Sequence, residues 1–489
     1  MSDPDIMQFF SLHAESACAR AGTLITRRGP ISTPTALLYT RRGGCLYLTP
    51  DMMEKLRPQA QGLQINAMQF LDQPNPAQLA KSGAGLHRFI GAPGWPMLAT
   101  HRDPTLLEYA AGKPSNIKGV YTVIHSGGMH VTPARYMEAI KAIQPEIFVS
   151  MADEVLGDAT AKRVGQSVER TTKWLDEVLE ELEGMRRQAG QQQQEGQGQQ
   201  QVEGRQQGDE QQAGQQAAEQ QQDAAGAAGG AEEHPAKRQR REGGGGAKGG
   251  GGGGVVAAAG AGVPLVLAPV VGGAMLEERT RAAKAVADKP VDGFALCGFG
   301  MGEDAALHPQ LLAAAVEHLP ADKPRLLLGM AAPEEVLAGV LAGADLFDCG
   351  YPTHATANGY ALYFPTHMPG GGKGGGGGGA AGGAAPAGGL EQGADDSKLN
   401  IWATAYREDK RPLVEGCSCY ACRNHTRAYV HHLLHTHEML ASVLLEAHNT
   451  HWWLLFFEGM REAVAAGEMQ QYAEWFRRRR RDARALQAA

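Results

Sequence analysis

Three cysteines within one short loop, Cys417-Ser-Cys419-Tyr-Ala-Cys422, supply three soft thiolate donors. Tetrahedral zinc wants four sulfur or imidazole ligands about 2.0 to 2.3 Å away, so a fourth donor is required nearby in space. Histidines are plentiful downstream, at His425, His431, His432, His435, His437, His448 and His451. Three thiolates and one imidazole fill the coordination shell and leave no position for water. The pattern therefore predicts one structural Zn2+ rather than a hydrolytic centre. Cys3His favours zinc over other thiophilic metals. His431 and His435 stand four apart on one predicted helical face, a spacing more usual for core or surface histidines than for ligands.

The elements around this loop follow from periodicity. Tyr429, Leu433, Leu440, Leu444 and Ala447 recur at helical spacing, which predicts a helix with His448 at its far end. Farther upstream, VPLVLAPVV, VDGFALCGFG, PRLLLGMA and DLFDCG read as short apolar strands. The helical stretches MLEERTRAAKAVAD, HPQLLAAAVEHLP and PEEVLAGVLAGA separate them. Successive β-α units mean a parallel sheet with helical crossovers. That pattern fits either an open doubly wound sheet or a closed (β/α)8 barrel. The folded length and the absence of a G-x-G-x-x-G helix opening favour the barrel.

Of the 489 residues, 65 are glycine, concentrated in two biased stretches, 188–262 and 370–397. These have almost no aliphatic content and are expected to be disordered low-complexity insertions. The expected organisation is thus a barrel N-terminal part (1–187), a Gln/Gly-rich insertion (188–262), barrel C-terminal units (263–369), a Gly-rich linker (370–397), and a zinc subdomain with C-terminal helices (398–489). TAKRVGQSVERTTKWLDEVLEELEGMRRQ, with Val164, Val168, Leu175, Val178 and Leu182 in register, reads as an amphipathic helix entering the first insertion. Within that insertion, Lys237, Arg238, Arg240 and Arg241 read as a solvated charge run, with nuclear import the other reading.

Lys and Arg total 46 against 53 acids, a net charge of −7, so any nucleic-acid surface must be a local patch. The clearest patch is Arg477, Arg478, Arg479, Arg480 and Arg481, on a helix carrying Tyr472, Trp475 and Phe476. It is a candidate grip on RNA phosphates or, equally, a solvated helix end. Seven cysteines are too few for a disulfide scaffold and point to a reducing compartment. MSDPDIMQFFSLHAES lacks a basic n-region and an apolar h-region, and no run is long and apolar enough to span a bilayer. A cytoplasmic protein without a transmembrane segment is expected.

CSCYACRNHTRAYVHHLL followed by His448 in EAHNTHWW resembles the zinc signature of the tRNA-guanine transglycosylases, C-x-C-x2-C-x25-H. PRLLLGMAAPEEV, ADLFDCGYPTHATANGYAL and GFALCGFGMGE agree with that family in order. The resemblance implies a (β/α)8 TIM-like barrel with an inserted Cys3His zinc subdomain, and it makes His448 the fourth ligand. It further implies exchange of guanine for queuine at the anticodon wobble position of tRNA. Such chemistry needs a carboxylate nucleophile, a second carboxylate for acid/base help and a base-reading pocket.

In the family's F-D-C-x-x-P-T-R pattern the nucleophile's place falls to Asp348, at the end of a barrel strand, and Asp153 in SMADE keeps the place of a base-binding aspartate. Other positions depart from the family. The arginine of the pattern is His354 and the one before Asn-Gly is Ala357. The base-reading glutamine of V-Q-G-G is replaced by Val271 before Gly272 and Gly273. D-S-G-G-F-Q has no counterpart: HSGGMH at His125 to His130 begins with His, and PMLATHRDP carries Thr100 at the aspartate's place. Acid/base help alone is worth roughly 10²- to 10⁴-fold. The pattern thus resembles the family's noncatalytic accessory branch, which pairs as a heterodimer with a catalytic queuine tRNA-ribosyltransferase subunit and supports its action on tRNA. On that likeness Asp348 is a vestigial nucleophile, and peripheral association with the mitochondrial outer membrane is implied. The other reading is a self-sufficient transglycosylase using Asp348.

Overall fold

The computed structural model describes residues 9–83, 85–103, 115–124, 126–191, 263–368 and 397–488, with side chains as far as Arg480. The basic run 237–241 and His125 lie outside the described residues, as do nearly all of 188–262 and 370–397.

Three antiparallel strands come first: β1 (Phe10–Ser16), β2 (Ala19–Thr26) and β3 (Gly29–Thr33). Two short strands follow, β4 (Thr35–Ala36) and β5 (Leu38–Tyr39), then β6 (Leu63–Asn66) and β7 (Met97–Thr100). An antiparallel hairpin, β8 (Val120–Ile124) with β9 (Gly127–Val131), precedes β10 (Ile147–Val149). Beyond the first insertion come β11 (Leu265–Val270), β12 (Gly293–Leu296), β13 (Arg325–Leu327) and β14 (Leu346–Phe347).

The large sheet runs β4-β14-β13-β12-β11-β10-β7-β6-β5, and its pairings are parallel. β4 and β5 are halves of a single stretch split at Leu37; one half pairs with β14 and the other with β6, so the two ends of the order meet. Eight staves therefore close into a (β/α)8 barrel. Each stave is a short apolar run because both faces are covered, by the barrel interior and by the outer helices.

The crossover helices match the sequence pattern: Pro133–Ile143, residues 161–191, Leu276–Ala287, His308–Val316 and Pro333–Leu341. Val164, Val168, Leu175, Val178 and Leu182 are all buried on the second of these. The described residues up to Glu183 and from Val263 onward form one compact unit.

After β14 the chain makes a helix (Gly350–Ala357) and an antiparallel hairpin, β15 (Tyr360–Leu362) with β16 (Lys398–Asn400), before the cysteine loop. The helix expected through His448 is two helices, Arg427–His435 and Met439–Ala465. His437 takes a left-handed φ of 57°. Its N–H donates to Leu434 O, and that of Glu438 to Leu433 O, the paired bonds of a Schellman stop. The break leaves Tyr429 and Leu440 exposed and puts His448 inside the second helix, not at a far end.

Met439–Ala465 is apolar around much of its circumference, and such a helix must be covered on all sides. It packs against β1, β2, β4 and the helix Gly350–Ala357. Phe457 meets Phe347 of β14 with ring centroids 5.4 Å apart, and Arg461 donates to Pro34 O at 2.9 Å beside the seam. The cysteine-bearing segment is thus an insertion between the last stave and the helix that covers it. Among the described residues, no helix is long and apolar enough to cross a membrane.

Candidate metal centre and barrel mouth

Cys417, Cys419, Cys422 and His448 converge, with ligand atoms all within 4.8 Å of one another. His448 Nδ1 lies 3.7, 3.5 and 3.4 Å from the three sulfurs in sequence order. A sulfur at about 2.3 Å and a nitrogen at about 2.0 Å from one tetrahedral ion would stand roughly 3.5 Å apart, so the spacing suits a common metal ion. His448 Nε2 donates to Leu362 O at 2.9 Å, which leaves Nδ1 as the free lone pair and fixes the ring. Main-chain N–H groups of Cys419 and Cys422 point at the sulfurs of Cys417 and Cys419 (3.5 and 3.3 Å) and favour thiolates there. Without a cation the sulfurs compete for protons: hydrogen bonding to Cys417 pushes the Cys419 thiol up and pulls Cys422 down. A divalent ion would remove that conflict, and the four donors are already spaced to accept one.

The surroundings are built to hold this geometry. Cys419 caps the short helix Tyr420–Asn424, which brings Cys422 back toward it. Asn449, next to His448, accepts from Leu362 N and donates to Thr356 Oγ1 and Tyr360 O, tying the ligand helix to the hairpin and to Gly350–Ala357. Arg427 bridges Asp409 (3.0 Å) and Leu413 O, anchoring the loop that leads into the cysteines. His431 and His435 sit with rings 4.2 Å apart and bond the main-chain oxygens of Ile401 and Trp402. They brace the turn after β16.

At the C-terminal ends of the staves, Asp348 is buried, with only 1% exposure, and accepts from Gly329 N at 2.8 Å. Burial raises its pKa, offset in part by that amide and by Arg102. Thr100, in the place of the family's second aspartate, has its hydroxyl engaged with Ile65 O and Arg102 O. Asp153 is turned to the helix 161–191, its carboxylate held by Arg163 (2.6 and 2.8 Å) and Arg170 (3.2 Å). Val271 is buried, whereas His354 and Ala357 are exposed on their helix.

Sequence reasoning passed over the group that fills the mouth. Arg102 donates to Glu154 Oε1 at 3.1 Å and to Phe299 O at 3.2 Å, and its guanidinium passes close over Gly329, the residue whose amide holds Asp348. Burial pushes Glu154 up, but Arg102 and His101 outweigh it and hold the carboxyl at about 2. Asp103 is tied to Tyr39 Oη (2.7 Å) and Gln69 Nε2 (2.9 Å). Arg279, fully buried, donates to Gly273 O, Cys297 O and Gly298 O and stacks 3.9 Å from the Phe299 ring, so those loop oxygens are already used. Charged residues just past apolar strand runs, Arg102 after MLATH and Glu154 after SMAD, were the available signal.

Of the tandem arginines, Arg478 is exposed and Arg477 and Arg479 are half-buried. Arg480 is buried and pairs with Glu334 at 2.5 Å. The side chain of Arg481 lies outside the described residues.

Fold and site define a (β/α)8 barrel protein with a Cys3His metal-binding insertion before its last covering helix and one aspartate fixed at a stave end. The sequence pattern of the family described as queuine tRNA-ribosyltransferase matches residues 15–234 and 258–482, and the chain belongs to that family. It is 30% identical over 481 residues to the queuine tRNA-ribosyltransferase accessory subunit 2 of Xenopus tropicalis, covering 94% of this chain and 97% of the relative. It is 29% identical over 460 residues to the human protein of the same name (91% and 92%), and 25% over 482 residues to that of Drosophila virilis (96% and 92%).

Proposed function

We propose that this chain is the noncatalytic accessory subunit of a queuine tRNA-ribosyltransferase heterodimer, supporting its partner's exchange of guanine for queuine at the tRNA wobble position. Relatives named as accessory subunits align over nearly the whole chain. The observation that carries the reading is the barrel mouth: Arg102, paired with Glu154, lies beside Asp348, and Thr100 offers no acid/base group. An attacking carboxylate needs room for a ribose and a proton donor or acceptor at the leaving base. Asp348 has an arginine beside it instead and serves the fold by accepting main-chain N–H bonds.

In this reading the Cys3His group holds one structural Zn2+, which supplies cross-linking energy to the insertion and no chemistry to the mouth. The insertion and the adjacent barrel face dock the catalytic subunit, in the cytoplasm. Arg477, Arg478 and Arg479 add positive surface for tRNA phosphates. The test is incorporation of labelled queuine into a wobble-guanine tRNA by this chain alone, a catalytic subunit alone, and both. Turnover only in the mixture is expected; turnover by this chain alone would make Asp348 a working nucleophile and sink the proposal.

A further inference from the structure

Beside the metal centre, between the turn after Pro50–Glu54 and the helix Tyr420–Asn424, lies a cavity of about 310 Å³. Its floor includes Ala447 and His451 of the long helix, and its rim carries Lys55, Arg57, Arg423 and Tyr420. No carboxylate lines it. Arg57 spends one nitrogen on the main-chain oxygens of Glu54 and Leu56, and among the described residues no acid pairs with Arg57 or Arg423. His451 is 2% exposed, and its Nε2 has no hydrogen-bond partner. The His451 ring lines the cleft next to the Arg57 main chain, and its solvent-closed Nε2 is costly to leave without a partner unless a ligand settling into the cleft completes it.

Each feature asks for a different part of one ligand. Arg57 and Arg423 match a phosphate. Tyr420, with 45% of its surface exposed at the rim, offers a face on which a base can stack. A hydroxyl satisfies His451 Nε2 in either tautomer, since it both donates and accepts. The volume lies at the lower end of the range for small-molecule sites, roughly 300 to 1,000 Å³, which suits a single nucleotide. An acidic protein segment would use the cations but leave the aromatic face and His451 unmet.

We propose that this cavity takes one unstacked ribonucleotide of an RNA, with its phosphate on Arg57 and Arg423, its base on Tyr420 and its ribose hydroxyl on His451. The choice of RNA over a free nucleotide rests on the accessory-subunit reading above; the chemistry of the pocket does not.

The test uses the full metal-loaded chain and fluorescence anisotropy with an unstructured single-stranded RNA, its 2′-deoxy counterpart, and adenosine 5′-monophosphate as competitor. The RNA is expected to bind at least about fivefold tighter than the DNA, since the 2′-hydroxyl is what separates them. Arg57→Ala with Arg423→Ala should weaken RNA binding about tenfold or more, and His451→Phe should erase the preference for ribose. Should His451→Phe fail to fold, the double variant decides, because both arginines are exposed. Equal binding of RNA and DNA, or wild-type RNA affinity in the double variant, overturns the proposal. So does a double variant that loses only the catalytic subunit, which would assign the cleft to an acidic protein segment. Tight monophosphate binding with no gain for RNA would assign it to a free nucleotide. Base exchange is not read, so failure here leaves the accessory role standing, and failure of that role leaves this binding measurable.

Discussion

Arg102 and Glu154 form a buried ion pair, N to O at 3.1 Å, across the mouth of the barrel, and the same guanidinium also reaches Phe299 O. Removing one partner of such a pair costs up to about 3–5 kcal/mol, less where, as here, His101 and the Gly298 N–H still face the carboxylate. Arg102→Met is expected to destabilise by about 2 kcal/mol or more at pH 7 in urea unfolding. The pH profile carries the sign. Glu154 is held at about 2 in the folded chain against an ordinary 4.5, so its contribution is present above 4.5 and lost as pH falls toward 2. Without Arg102 the main charge lowering this pKa is gone, so Glu154's share of the fall through that window should shrink, while that of Glu303, also held at about 2, remains. An acid slope as steep in the variant as in the wild type would mean that Arg102 does not hold Glu154 down.

Asp348→Asn keeps an acceptor for Gly329 N and removes the charge. In the reconstituted pair the exchange rate is expected to stay within about twofold of wild type, because loss of a working acid, base or nucleophile costs orders of magnitude. A rate lower by a hundredfold would return Asp348 to catalysis.

Cys419→Ser removes one of the three candidate thiolate donors while keeping a side chain able to cap Tyr420–Asn424. Metal content by mass spectrometry should drop from one equivalent to well below half, and chelation of the wild type should have the same effect on the melt. Affinity for the catalytic subunit should fall at least about tenfold while far-UV dichroism retains the barrel signal. Normal partner affinity in metal-free protein would exclude the insertion as the docking element.

Neighbouring arginines in the C-terminal run should separate cleanly. Arg480→Ala breaks a pair whose Glu334 is partly exposed, so a loss of about 1 kcal/mol or less in stability is expected, with tRNA affinity unchanged. Arg478→Ala should leave stability alone and lower tRNA binding, reducing the salt slope by about 1. Salt-titrated anisotropy on both variants checks this, and an Arg480 effect on the slope would contradict it.

The β-α alternation after Val263 was legible because each strand is a short apolar run and each helix keeps its 3.6-residue period; the structure follows it unit by unit. Cysteine spacing made the thiol part of the candidate metal group legible as well, since three of its four donors are local in sequence. His448 came through resemblance, and its place in mid-helix did not, because a left-handed His437 carries no compositional signal of the kind glycine gives. Nor did the mouth. Whether Arg102 faces Glu154 depends on how β7, β10 and β12 are ordered around a closed sheet, and no periodicity encodes a contact made across strands. The buried Arg480 likewise looked like its neighbours until the partner helix Pro333–Leu341 was in place.

The helix Met439–Ala465 carries His448 in its first half and Arg461, which reaches Pro34, thirteen residues or roughly 20 Å farther along it. One stiff rod therefore serves as both the clasp of the metal loop and the batten over the join in the cylinder. If the cysteine loop takes an ion, starving the chain of metal should be felt at that join, as faster amide exchange at Thr35 and Leu38, remote from the loop's three thiols.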